Sequence, residues 1–444
     1  MTQAVSGTNW ARNLTYAATD VRRPTTLEEV QGTVTSGGPV RTLGSRHCFN
    51  DIADTTGTHL LLDRFEPLGA APLTVDQDTA GATTVTVSGG TRYGDLATAL
   101  AASGYAIHNL ASLPHISVAG AIATATHGSG DSNRGLGGAV RRMDLVTGTG
   151  ELVHVGTGTG TGTADGSIPL EAAVVHLGAL GVVARVTLAV EPAFEVRQDV
   201  FEGLSWDALA EDLDAITGAA YSVSLFTRWA DSGIDQVWLK SRTDAPAPAP
   251  AGGVPAYATD IFHGARRSLV PLHPLPGISA VSCTEQLGVA GPSHERLPHF
   301  KMNFTPSNGE ELQTEYLVPR QHALAAIDAV RSLREHVVPL LQITEIRTMA
   351  ADGLWLSPSG DHDCIGLHFT WLPRQREVEA VLPLLEEALA PFDARPHWGK
   401  LFTTGADRLA ELYPRLGDFQ ELASRLDPHG VFRNAYLDRL LPRD

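Results

Sequence analysis

Lysine is nearly missing from this chain: of 33 basic residues only Lys240, Lys301 and Lys400 are lysines, so each is worth tracing to a role. Cysteine is as scarce. Cys48, Cys283 and Cys364 are too few and too scattered for a disulfide scaffold or a zinc site, and no metal is expected. No stretch approaches the roughly 18 consecutive apolar residues needed to cross a membrane. The opening MTQAVSGTNWARNL carries neither a basic nor an apolar leader segment, so no secretory signal is expected and the cytoplasm is the expected compartment. An excess of positive charge is lacking too. The formal net charge is −17, and neutralising phosphates takes clustered Lys and Arg, so neither nucleic acid nor an anionic membrane surface is an expected partner. There is no GxGxxG after a strand, no GxxxxGK[ST] and no repeat of fixed period, which excludes a Rossmann fingerprint, a P-loop and a solenoid.

What the chain does have is a globular make-up. At 444 residues, 43% apolar and 19% charged, it is long enough for two or three domains and too apolar for disorder. The first half alternates helix and strand signals with glycine-rich connections. Helices are expected over 24–34 and 91–104, and strands over 39–51, 59–65, 83–90, 139–155 and 178–192. Residues 108–135 show little periodicity, are rich in small residues and carry too much apolar content to be disordered; loops this long are usually functional. The run 156–167 is low-complexity, and 244–256 is a Pro/Ala/Gly excursion. After about residue 195 the texture changes. Helices are expected over 201–216, 322–337 and 377–392, with strands over 222–229, 236–243, 311–319, 343–350 and 364–372. This is the pattern of an α+β fold, an antiparallel sheet covered by helices.

Three of the late strands share an odd feature. Residues i and i+2 lie on one face of a strand, which pairs Gln313 with Glu315, Glu345 with Arg347, and His368 with Thr370. If the opposite face packs on helices, this one carries acids, a guanidinium, an imidazole, an amide and a hydroxyl in a small area. Two readings stand at equal weight: an ion-paired face open to solvent, or the wall of a pocket for something rich in hydroxyls.

Near the start, LGSRHCFND puts Gly44 and Ser45 at a strand end, with His47 just beyond. A lone loop histidine is most often structural. A second small-residue segment, SVAGAIATATHGSG, changes the odds, because Ser117, Thr124 and Thr126 in such close-packing backbone suit the phosphates of an extended dinucleotide.

TNWARNLTY, LGSRHCFN, NLASLPHISVAGAIATATHGSG, LGALGVV, ELQTEYL, EIRT, HFTW, ARPHWGK and DPHGVFRNAYL follow one another from residue 8 to residue 437. In these segments the chain resembles the vanillyl-alcohol oxidase / p-cresol methylhydroxylase flavoprotein superfamily, and within it the members that oxidise alditols. The resemblance implies a two-domain p-cresol methylhydroxylase-type fold. Residues 1–195 and the tail 395–444 would bind FAD, and 196–394 would form an α+β substrate domain with an antiparallel sheet. It implies FAD joined covalently to His47 and lined by Thr42, Leu43, Gly44, Ser45, Arg46 and Cys48. Ser112, Ser117, Gly120, Thr124, Ala125, Thr126, His127 and Val183 would complete that lining. Relatives typically show Gly-His-Ser where this chain has Arg46, His47 and Cys48, which puts a bulky charge beside the attachment point.

The same resemblance turns the polar strand faces into a substrate site. Lys400 and Arg347 would flank the reacting carbinol, with His368 assisting proton removal or supporting a neighbour. Ser112, Gln313, Glu345 and Thr370 would hold the other hydroxyls. The implied reaction moves hydride from C1 of a polyol such as xylitol or sorbitol to flavin N5, with O2 as acceptor and aldose and hydrogen peroxide as products, in a monomer. Three alternatives remain open: an aldonolactone oxidase or dehydrogenase of the same superfamily, a dehydrogenase using another acceptor, and a flavin- or carbohydrate-binding protein without catalysis.

Overall fold

Local chemistry explains where the elements start. The Thr26 hydroxyl accepts a hydrogen bond from Glu29 N, and Glu28 and Glu29 sit in the first turn of the Leu27–Thr35 helix that follows. Ser205 caps Trp206–Thr217 in the same way, accepting from Ala208 N. The Tyr93–Ala102 helix runs out at Gly104, whose φ of +83° is the left-handed turn expected there. The computed structural model describes residues 7–71, 73–78, 81–156, 168–244, 255–302 and 311–443. The low-complexity run 156–167 and the Pro/Ala stretch 244–256 fall almost wholly outside them.

Three sequence expectations need correction. The helix expected over 201–216 begins only at Trp206, because the preceding residues end the strand Glu195–Leu204, which pairs along its length with Ile234–Arg242. Long-range pairing overrides local helix propensity at Phe201 and Leu204, both buried. The strand expected over 59–65 is three residues long, Thr58–Leu60, and the aperiodic segment 108–135 holds a short helix, Val118–Ala123.

The described strands form three main sheets. A three-stranded parallel sheet (Asp20–Arg22, Thr58–Leu60, Val40–Thr42) carries the glycine turn and His47 just past its last strand. A five-stranded antiparallel sheet runs Val75–Gln77, Thr83–Ser88, Val182–Ala189, Val140–Val146 and Leu152–Val155. The third is a ten-stranded antiparallel sheet whose centre runs Glu195–Leu204, Ile234–Arg242, Ser222–Thr227, Leu341–Met349, Cys364–Trp371 and Leu312–Pro319. Its outermost strand on one side is Arg395–Pro396, so the chain entering the C-terminal tail is still part of this sheet. The helices from Ala406 onward instead share a core with the N-terminal sheets, through Leu409, Leu412, Phe419, Leu422 and Tyr436. The fold class is α+β, as expected.

One face of the large sheet is apolar. Leu225, Ile346, Leu367, Phe369, Trp371, Tyr316 and Val318 form a core with residues of the helices Trp206–Thr217, Ala323–Ser332 and Gln375–Leu389. The opposite face carries the polar residues. Glu315, Glu345, Arg347, His368 and Thr370 are all buried there and Gln313 is half-buried, which rules out a sheet face open to solvent.

Candidate active site

Antiparallel register assembles the site. Glu345 pairs with His368 and His368 with Glu315, while Thr370 pairs with Gln313, so three neighbouring strands set their polar side chains side by side. The hub is Glu315. Its Oε1 accepts from Arg347 Nη2 at 2.9 Å and Nε at 3.2 Å, and its Oε2 accepts from Lys400 Nζ at 2.5 Å. Lys400 Nζ also lies 2.6 Å from His368 Nδ1, and His368 Nε2 is 3.2 Å from Thr370 Oγ1. Arg347 Nη1 reaches Ser112 Oγ at 3.4 Å and lies 3.6 Å from Glu345 Oε2.

The charges follow from these contacts. Burial alone would raise the Glu315 pKa, but Arg347 and Lys400 override it and hold the carboxyl well below its usual range. Glu345 is likewise held ionised, against burial, by Arg347 and His299. Burial pulls Lys400 down while Glu315 opposes it, leaving the ammonium more easily deprotonated than an ordinary lysine. His368 is kept neutral, its pKa lowered to about 4 by burial and by Lys400. With Lys400 donating to Nδ1, the imidazole proton sits on Nε2, so the resting His368 is a donor toward Thr370.

His127, Glu315 and His397 bring ligand atoms within 4.8 Å of one another, a spacing that suits a cation. Both Glu315 oxygens are already engaged by Arg347 and Lys400, and a third positive charge between those two is electrostatically opposed.

His176, His299 and His368 are held neutral, with pKa values of about 3, 4 and 4, chiefly by burial. Between those values and the ordinary 6.5 the unfolded chain binds protons that the folded chain refuses, so stability rises with pH across that window. The thermal midpoint is expected to fall steadily as pH is lowered from about 6.5 to about 4 at constant ionic strength. A calorimetric series checks this, and a flat profile would contradict the neutral assignment.

A cavity of about 360 Å³ runs from this cluster to the glycine turn. Gly44 and Gly120 line it, and a Cβ on either would stand 2.4 Å and 2.7 Å from Ser117 Oγ, so a side chain at either position would force that hydroxyl to turn away. Ser117 N donates to Ser45 Oγ at 3.3 Å, joining the two small-residue segments. His47 lies between Trp10 and His115, with ring centroids 5.2 Å and 4.5 Å away. Burial, His115 and Arg92 lower its pKa to about 3. Arg46 adopts φ +65°, left-handed backbone that costs a non-glycine residue about 1 kcal/mol, and its carbonyl is held by Trp10 N at 2.8 Å. Burial lifts the Cys48 thiol to about 12, so it stays protonated. The turn is tied to the Lys400 loop: Phe49 N donates to Gly399 O at 2.8 Å, and Asn50 Nδ2 donates to Lys400 O at 2.7 Å.

Nearly every residue singled out from the sequence lines this one cavity: the turn from Thr42 to Cys48, the small-residue segment with Val183, and the polar strand residues with Lys400. Ala125 does not. It is a buried turn residue at φ +57° just past the Val118–Ala123 helix and belongs to the hydrophobic core of the N-terminal sheets. Sequence reasoning passed over Glu315, although its spacing from Gln313 had placed it on the right face. It also passed over His299 and His397, which reach the cluster from loops with no periodic signal.

Residues 19–156 match the FAD binding domain family, and residues 297–440 match the D-arabinono-1,4-lactone oxidase family. The alditol oxidase of a Streptomyces species is 50% identical over 438 residues, covering 98% of each chain. The chain belongs to the alditol oxidase family. It is an FAD-dependent oxidoreductase. More distant members of the wider group include an L-gulono-1,4-lactone dehydrogenase of Mycobacterium tuberculosis, 29% identical with 98% of each chain covered. L-gulonolactone oxidase of Bos taurus is 25% identical with 97% of each covered. In fold, cholesterol oxidase of B. sterolicum aligns with a TM-score of 0.73 at 14% identity, over 98% of this chain and 96% of its own. The close-packed glycines and the paired small-residue segments fit the FAD this family binds. Among the described residues no helix is long and apolar enough to cross a membrane.

Proposed function

We propose that this alditol oxidase family member oxidises alditols such as xylitol and sorbitol at C1, with O2 as electron acceptor and aldose and hydrogen peroxide as products. The carrying observation is that two cations, Arg347 and Lys400, share the buried Glu315 carboxylate in the same cavity as the hydroxyl-matching groups Glu345, Gln313, Thr370 and Ser112. FAD, when bound, supplies hydride acceptance and passes the electrons to oxygen. The protein's part is electrostatic. Lys400 and Arg347 lower the carbinol O–H pKa, so that its proton can pass to solvent, and stabilise the negative charge left on that oxygen as the C–H bond breaks. Glu345 accepts from the remaining hydroxyls, Gln313 accepts from or donates to them, Ser112 and Thr370 fix the register of the chain, and His368 offers its Nε2 proton as a further donor.

His47 is the point of covalent attachment in this reading, since a neutral imidazole facing the cavity is a competent nucleophile. Protein precipitated by trichloroacetic acid is expected to stay yellow, and His47→Ala to give a colourless pellet. A colourless wild-type pellet removes the covalent bond. Residues 1–195 with the tail from 395 would form the FAD-binding part, 196–394 the substrate part, and the enzyme would act as a cytoplasmic monomer.

The deciding experiment is anaerobic titration of the purified protein with xylitol. Loss of the oxidised-flavin band, reversed by air, supports the polyol oxidase reading. The match of residues 297–440 to a lactone oxidase family gives the second reading its weight, and bleaching by an aldonolactone but not by xylitol would establish it.

A further inference from the structure

Lys240 stands outside the site just described, yet it is among the most thoroughly buried side chains in the molecule, 1% exposed. It lies on the Ile234–Arg242 strand, and among the described residues no carboxylate forms an ion pair with it. Its three N–H groups go instead to Leu297 O, to Pro298 O at 3.1 Å and to His299 Nδ1 at 3.0 Å. His299 in turn presents Nε2 to Glu345 Oε1 at 2.9 Å. The ring is clamped edge-on by Phe226 and Trp238, with centroids 5.6 Å and 5.3 Å away, and its backbone N–H bonds Ser112 O at 3.2 Å.

Burial lowers the Lys240 pKa to about 7, and below that pH, where it carries its charge, the ammonium has only donors, so the nitrogen it meets must offer a lone pair. That forces the His299 proton onto Nε2, where it donates to Glu345. The opposite tautomer would set a lone pair against a carboxylate at hydrogen-bond distance. Double protonation is disfavoured, because burial and Lys240 bring the imidazole to about 4. With Oε1 committed to His299, Oε2 is left for Arg347 and for a substrate hydroxyl.

We propose that Lys240 and His299 are positioning residues for the polyol site, the ammonium fixing the tautomer and the imidazole N–H fixing the Glu345 carboxylate. This rests on the reading of Glu345 as a ligand of a substrate hydroxyl. Other ionisable groups near Lys240 are Glu345 and Arg347, both on the Leu341–Met349 strand two places along the sheet, and Cys283 on a loop. A contribution through binding, and not through the chemical step, sets the expected pattern.

The test uses the full-length, flavin-loaded enzyme with xylitol. Lys240→Met is expected to raise KM about tenfold with kcat within about twofold, the size of one lost hydrogen bond to a charged group. Glu345→Gln should raise KM at least as much, and the double variant should match Glu345→Gln alone, because both changes act on one contact. A normal KM in Glu345→Gln overturns the underlying assignment of the carboxylate. A raised KM there with a normal KM in Lys240→Met overturns the relay alone, as do effects that multiply. Histidine ¹⁵N spectra of the wild-type enzyme, with His299→Gln for assignment, decide the matter even if Lys240→Met does not fold. An Nε2–H tautomer at His299 is expected, and an Nδ1–H tautomer overturns the proposal.

Discussion

Lys400→Ala is expected to lower the rate of flavin reduction by xylitol by about 10²–10³-fold while leaving the visible flavin spectrum intact. Lys400 is one of two cations that meet where negative charge develops, and its Nζ is held in place from two sides, by Glu315 Oε2 and His368 Nδ1. The backbone around it is fixed independently, through Asn50 Nδ2 on its carbonyl and its own N–H on His397 O. Truncation therefore removes the charge without collapsing the loop. Arg347 remains, ion-paired to Glu315, which sets the limit on the loss. Anaerobic stopped-flow reduction separates this effect from oxygen reactivity. A reduction rate within about threefold of wild type would take Lys400 out of the mechanism.

Glu315→Gln should harm the protein more broadly, because it removes the carboxylate that bridges Arg347 and Lys400. Breaking a buried pair from one side typically costs about 3–5 kcal/mol, since the partners keep their charge and lose its compensation. A marked drop in thermal midpoint is expected. The activity should also change shape with pH. Glu315 raises the Lys400 pKa, opposing burial, so its loss lets Lys400 deprotonate at lower pH. If the charged ammonium is the active form, activity is present below its pKa and lost above it, and the alkaline limb of the kcat profile moves to lower pH. Thermal denaturation and a pH–rate profile measure the two consequences separately. An unchanged midpoint together with an unchanged alkaline limb would mean that Glu315 is not the hub the geometry makes it.

Much of this protein was legible in its residues. The alternation of Gln313 with Glu315, Glu345 with Arg347 and His368 with Thr370 is a local property of strands, so their shared face could be read without coordinates. The small-residue segments near His47 and Ser117 were equally local, because backbone that must approach a ligand closely excludes side chains. The scarcity of lysine directed attention to Lys240 and Lys400 before either had a neighbour. What sequence left undecided was whether the polar face met solvent or a cavity, since that depends on what lies across from it. The answer came from the chain around Ser112 and from the His47 turn, both about 200 or more positions before the strands they face. The same limit hid the role of Glu315, whose partners arrive from four separate segments. It also hid the link from Lys240 through His299 to Glu345. Periodicity reports which way a side chain points along its own element. Which groups converge, and therefore which charges and tautomers they hold, is decided by sheet register and loop docking, which are set by the packing of the whole chain.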